Sequence, residues 1–242
     1  MSKQVIDALK PLLAGLDPAV TRLSVEEIAV ALGYISISKA GESPVSAPHR
    51  WEDALILGII PAGARVLDLG CGDGQLLEKL RRENSVVGQG VELDQGEAFG
   101  AIARGVPVLQ IDLDEGLKGL PNDCFDYVVL EETLQTLRRP TQLLQEMLRV
   151  GKAGIVSFPN FGFWRVRLEL LLRGRMPVTE RLPYRWYDTP NIHLLCLQDF
   201  LDWVNQHHVK IAQAHVFAEG HTRPMQEGDN LYAEQCLLLV ER

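Results

Sequence analysis

The sequence predicts an α/β fold: a Rossmann-like, doubly wound sheet, mostly parallel with an antiparallel C-terminal strand pair, preceded by a short helical extension. Three observations carry this reading. From Trp51 onward, short apolar runs alternate with helical patterns, as stacked βαβ units require. The first run, "ARVLDL", passes directly into glycines at alternate positions and then into a helical pattern. The last two runs, "VKIAQAHVF" and "CLLLVE", are joined without a long helix, which suits antiparallel neighbours.

In chain order, residues 1 to about 34 read as short helices, because Val5, Ile6, Leu9, Leu12, Leu13 and Leu16 recur at helical spacing. In "SVEEIAVALG", Ser24 and Glu27 form a capping box and Gly33 supplies the stop. Residues 38–50, "SKAGESPVSAPHR", are rich in Gly, Pro and Ser and read as a linker. The expected division is therefore a helical extension with linker over 1–50 and an α/β domain over 51–242. Within the domain, apolar runs at 64–69, 86–93, 106–111, 126–131 and 153–158 suit buried parallel strands, and 209–217 and 236–241 the antiparallel pair.

With 242 residues, 46% of them hydrophobic, the chain can bury one sizeable core. A net charge of −8 argues against a general nucleic-acid binder, which needs a concentrated basic surface. "SVEEIAVALGY" resembles the first helix of a helix-turn-helix, but Gly and two prolines stand where a recognition helix should follow. Cys71, Cys124, Cys196 and Cys236 lie far apart with no CxxC pair, so no metal site is expected and a reduced, cytoplasmic protein fits best. The N-terminus lacks the apolar core of a signal peptide, and no stretch approaches the roughly 20 apolar residues of a membrane helix.

The loop in "RVLDLGCGDGQLLEKL" decides what the domain holds. A strand entering a glycine turn and then a helix presents backbone N–H groups to an anionic ligand group. The dinucleotide fingerprint G-x-G-x-x-G fails, since Gln75 or Leu77 stands where its third glycine belongs, and GxxxxGK[ST] is absent. Glu92, in "GVELD" about twenty residues on, suits the two hydroxyls of a ribose, a feature dinucleotide sites share. Plainer roles stay open at this level: the glycines could serve a tight turn, Asp112 could cap a turn in "DLDEG", and Glu92 and Asp94 could be solvated loop charges. Cys71 reads as a small filler, not a nucleophile.

The spacing Asp68-Leu-Gly70-Cys-Gly72-Asp-Gly74 resembles motif I of class I S-adenosylmethionine-dependent methyltransferases. That resemblance implies S-adenosylmethionine or S-adenosylhomocysteine as cofactor. It implies that Asp112 accepts from the adenine amino group while the backbone N–H of Leu113 meets the ring. It also brings Glu131 to the open sheet edge, counted here with the cofactor residues, and Gln135 and Asn160 beside it. Relatives that methylate amino groups often carry Asn or Asp, two prolines and an aromatic after the fourth strand; this chain has "EETL" there.

Residues 158–194 are unusual in holding seven of the sixteen aromatics, and between 165 and 188 six arginines face three acids. Aromatic and Arg enrichment marks binding surfaces, and an amphipathic helix with a covering loop is the plainer account. Asn160, Trp164, Arg165, Tyr184, Trp186 and His193 are the substrate or partner candidates, with Tyr184 and His193 as weak candidates for a general base. No catalytic residue is assigned. Together "VLDLGCGDGQLL", "IARGVPVLQIDLDEGL", "FDYVVLEETLQ", "EMLRVGKAGIVSFPNFGFWRVRLELLLRGRMPVT" and "LPYRWYDTPNIHL" resemble the MetW family of bacterial methionine biosynthesis over roughly residues 52–205 and weakly beyond. The resemblance implies a partner, the homoserine O-acyltransferase MetX, and a supporting or regulatory role; methyl transfer to a small unidentified acceptor is the alternative.

Overall fold

The computed structural model of the protein describes residues 50–179 and 181–242. The helices, capping box and all but the last residue of the linker expected over 1–50 lie outside these residues.

Seven helices, α1 (Trp51–Ile59), α2 (Gln75–Asn84), α3 (Gln95–Ala103), α4 (Pro140–Val150), α5 (Trp164–Arg173), α6 (Leu197–Gln206) and α7 (Asp229–Tyr232), accompany eight strands among the described residues. The strands are β1 (Arg65–Leu69), β2 (Val87–Val91), β3 (Val108–Leu109), β4 (Phe125–Glu131), β5 (Gly151–Pro159), β6 (Lys210–Ala218), β7 (His221–Pro224) and β8 (Gln235–Glu241). They form one sheet in the order β3-β2-β1-β4-β5-β8-β6-β7. The first five are mutually parallel, and β8, β6 and β7 each run antiparallel to the preceding neighbour.

The alternation of strand side chains divides the core into two layers. Leu67, Leu69, Val128, Leu130, Val156 and Phe158 point to one face, where α4 and α6 cover them with Leu143, Leu144, Met147, Phe200 and Trp203. Val66, Val129, Ile155 and Leu239 point to the other, under Ile56 of α1 and Leu76, Leu77 and Leu80 of α2. Pro140 at the start of α4 needs no intrahelical N–H partner, and Leu143, Leu144, Met147 and Leu148 then recur on one face.

Two details depart from the sequence expectation. The run at 106–111 forms only the two-residue β3, pairing at the sheet edge with Gly90 and Val91. The antiparallel pair β6 and β8 gains a third member, β7, whose "HTRP" has no apolar run to announce it. β7 takes the outer edge, where proline and polar residues are tolerated, while β8 lies between β5 and β6 and is buried through Val240.

Candidate functional site

β1 has β2 on one side and β4 on the other, so the connections leaving their carboxyl ends diverge and open a crevice there. Asp68, next to last on β1 and 3% exposed, sits between Gly90 and Val129. Burial, then the charge of Glu131, lifts its carboxyl to about 8, with Arg50 opposing.

Past Leu69 the backbone turns left-handed at Gly70 (φ 78°), Gly72 (φ 52°) and Gly74 (φ 78°). Packing alone demands two of these glycines: a Cβ on Gly70 would lie 2.6 Å from Thr133 Oγ1, and one on Gly74 2.9 Å from the Cβ of Ala101. Gly72 differs, since a Cβ there would meet only Glu97 Oε2, at 3.8 Å, so the chain leaves the space over this residue open. The Gly72 N–H donates to Glu92 Oε2 (2.9 Å), while Glu92 Oε1 accepts from the N–H groups of Leu93 (2.8 Å) and Asp94 (2.9 Å). Glu92 is thus fixed just past β2, and Asp94 caps α3 by accepting from Glu97 N–H (2.9 Å). Cys71 is the filler the sequence suggests: its side chain occupies the space over Gly90, and burial, with Asp68 and Glu92 nearby, pushes the thiol up to about 12.

Asp112 lies three residues beyond the short β3. Its Oδ1 accepts from Asp114 N–H (2.9 Å) and caps the turn Leu113–Glu115, so the turn-capping role is real for that oxygen. Asp114 Oδ1 in turn accepts from the N–H groups of Arg138 (2.9 Å) and Arg139 (2.8 Å), tying the turn to the start of α4. Leu113 is buried at 9% exposure. Beyond this turn lies a concavity of about 780 Å³ that includes Asp114, Lys118 and Arg139 but none of the glycine-loop residues.

Glu131 ends β4, where Arg50 Nη1 approaches its Oε2 at 3.5 Å and burial lifts its carboxyl to about 7. The next residue, Glu132, adopts φ 49° and accepts through Oε1 from the Gln235 amide at the start of β8. Trp51 Nε1 donates to the other end of that amide, Gln235 Oε1, at 2.8 Å. Glu52, 3% exposed beside Trp51, is pushed up to about 8 by burial and by Glu132 and Glu131. Arg50, Glu52, Glu132 and Gln235 escaped the sequence reading, since the contact joining α1 to β8 spans most of the domain and no local pattern marks it.

The substrate and partner candidates separate into buried and exposed groups. Asn160, expected at the open edge, is instead a structural hub, 1% exposed. Its amide donates to Ala233 O (2.8 Å) and Asn230 O (3.2 Å), and its Oδ1 accepts from Gly162 N–H (2.9 Å) and Leu197 N–H (3.0 Å), so its polar capacity is spent inside the fold. Gln135 is likewise buried, and its carbonyl accepts from the N–H groups of Ile192 and His193 (both 3.0 Å), fastening the segment 174–196 to the end of β4. Trp164 and Arg165 are half-buried, with the Arg165 guanidinium 5.1 Å from the Trp164 ring and 5.8 Å from that of Phe163. Tyr184, Trp186 and His193 are exposed, Trp186 to 77%. Nine of the thirteen exposed large hydrophobic residues among those described fall within 170–194, so most of their exposed apolar surface lies on this segment and not at the start of α5. Among the described residues no helix is long and apolar enough to cross a membrane, and no group of three potential ligands could hold a metal ion.

The sequence model of the family described as methionine biosynthesis protein MetW matches residues 50–240, carrying the likeness through the whole C-terminal tail. The chain is 40% identical over 169 residues to the bifunctional methionine biosynthesis protein MetXA/MetW of Rhodopirellula baltica, which covers 66% of this chain and 27% of that protein. A ubiquinone biosynthesis O-methyltransferase of Hahella chejuensis is 35% identical over 103 residues, 40% of this chain and 42% of its own length. The chain thus spans about a quarter and under half of these two relatives. Among solved structures, S-adenosylmethionine-dependent methyltransferases of Mesorhizobium loti (TM-score 0.58, 17% identity, 78% of this chain and 96% of that one) and Archaeoglobus fulgidus (0.57, 16%, 79% and 91%) share the fold. So does the [4+2]-cyclase SpnF (0.55, 19%, 89% and 93%), which shows that this architecture hosts other reactions too.

Proposed function

Because the chain belongs to the methionine biosynthesis protein MetW family, we propose that it binds S-adenosylmethionine or S-adenosylhomocysteine and supports or regulates a MetX-like homoserine O-acyltransferase. The observation that carries the partner reading is the relative whose name joins MetXA and MetW in one protein. The exposed aromatic face of 170–194, with Trp186 and Tyr187 at its most accessible point (77% and 62%), is the surface that would meet the acyltransferase.

The residues present fit the cofactor. The open space over Gly72 admits a ligand against the backbone, and Glu92, already held by three N–H groups, retains a lone pair on Oε2 for a ribose hydroxyl. Asp112 uses Oδ1 in its turn, which leaves Oδ2 to accept from an adenine amino group beside Leu113 N–H. Asp68 and Glu131, both lifted toward neutrality by burial, would be drawn to their charged forms by the ammonium and sulfonium of the ligand, with Arg50 placed to meet its carboxylate. When bound, S-adenosylmethionine supplies an electrophilic methyl group; for transfer, the protein's task would be to hold an acceptor in line.

The experiment is the rate of homoserine acylation by the MetX-type enzyme of the same organism, alone and with this protein, while S-adenosylmethionine is titrated. A rate increase that W186A and Y187A remove, with cofactor binding intact, supports the accessory role. No change at any ratio would turn the reading to methyl transfer, which the shared fold and the open crevice favour as the second account.

A further inference from the structure

The described residues hold a second cluster of charge, beginning at Glu132 directly after Glu131, that the reading above does not use. It comprises Glu132, solvent-accessible just past β4, and the buried Glu52 of α1, whose carboxyl is pushed up by burial and by Glu132. The Trp51 and Phe217 rings stand 5.7 Å apart, and Gln235 links Trp51 to Glu132 through both ends of its amide. Arg181, carried by the segment 174–196, lays its guanidinium 4.2 Å from the centre of the Phe217 ring. It is the basic group acting on Glu52 and takes the same part toward Glu132, yet its Nε is buried without a hydrogen-bond partner.

Two carboxyl groups, an aromatic face and a planar cation together form an arrangement suited to a guanidinium or ammonium ion. We propose that the cluster of Glu52, Glu132, Trp51 and Phe217 is a binding site for a small ligand bearing a guanidinium or primary ammonium group, and that Arg181 takes the ligand's place while none is bound. A single Arg on an aromatic ring is commonplace. Here the unsatisfied Nε and the fixed, accessible Glu132 mark the fit as incomplete, so that a ligand able to satisfy both acids would displace it. The site goes beyond the cofactor and partner reading and stands without it.

The test uses the full chain and methylguanidinium as probe, with sodium chloride at equal concentration as control. In Arg181→Ala the vacated position should take up the free cation, giving a saturable rise in Tm of about 3 °C at ten times its Kd, with the wild type responding only at higher concentration because Arg181 must first be displaced, and with no rise in the R181A/E132Q double variant. A response no larger than that to sodium chloride, or an equal response in the double variant, overturns the proposal. Should R181A not fold, limited trypsin digestion of Glu132→Gln decides: cleavage after Arg181 should become several-fold faster than in the wild type, and an unchanged rate overturns the proposal. Neither readout involves cofactor binding or acylation, so a failure of the accessory reading leaves this test intact.

Discussion

The backbone N–H of Gly72 donates to the carboxylate of Glu92 at 2.9 Å, twenty residues away. The glycine loop after β1 and the acid after β2 are therefore one preassembled unit. A carboxylate fixed in this way has already lost its rotamer freedom, which would lower the cost of binding the proposed cofactor.

Glu92→Ala should leave the fold intact and weaken adenosyl-ligand binding on the order of 10- to 100-fold, the loss expected when hydrogen bonds to a charged group vanish. Calorimetric titration of S-adenosylhomocysteine into the variant, alongside its melting curve, is the check; unchanged affinity would remove Glu92 from the site.

The three loop glycines should respond differently to alanine. Gly70→Ala puts a methyl 2.6 Å from Thr133 Oγ1 at a left-handed residue, so steric displacement adds to backbone strain and the loss should exceed about 2 kcal/mol. Gly72→Ala meets open space and should cost only the strain, about 1 kcal/mol, while obstructing the ligand. Urea unfolding of both variants separates the effects.

Asp68 gives a pH dependence of definite sign. Its carboxyl titrates at about 8 in the fold against an ordinary value near 4, so the buried site favours the protonated form. Its cost to stability is absent below pH 4, grows as pH rises, and is complete above about 8. Asp68→Asn should therefore melt near the wild-type temperature at pH 4 and increasingly above it up to pH 8.5. Ligand affinity of the wild type should increase from pH 6 to 8.5 as Asp68 and Glu131, the latter at about 7, ionise, and the variant should flatten that rise.

Cysteine labelling should divide the four thiols. Cys71 and Cys236 are buried and their thiols pushed up by burial, and the half-buried Cys196 is pushed up by burial and Asp199, so iodoacetamide at pH 8 should spare Cys71 and Cys236 in the native protein while reaching Cys124 first. Rapid modification of Cys71 would show that the loop opens without a ligand.

Much of the fold was legible because apolar runs report burial directly. The strands at 65–69, 125–131 and 151–159 are buried on both faces, and their sequences are correspondingly continuous in hydrophobic residues. β7 was illegible for the opposite reason, since an edge strand needs only backbone partners and "HTRP" carries no pattern. Asn160 misled: its position at the end of β5 suggested the crevice, but nothing local shows that four backbone groups from α7, α6 and the adjoining turns converge on it. The turn geometry of the glycine loop was readable because left-handed backbone at Gly70, Gly72 and Gly74 needs glycine at that spacing. Arg50 was not, because it reaches Glu131 only through a tertiary contact, and neither was the separate cluster of Glu52 and Arg181.

The placement of β8 also constrains how the protein reaches its native state. β6 and β7 join the sheet only through β8, which pairs with β5 on one side and β6 on the other. The β6–β7 hairpin, complete earlier in the chain, has no edge to dock on until β8 arrives and takes the position between them. Assembly at this end of the sheet must run in the reverse of chain order, through pairings of high sequence separation such as Ala153 with Glu241. Until that strand is seated, the β5 edge stays open to other chains, which makes the C-terminal strand the guard against aggregation as well as the bridge on which β6 and β7 depend.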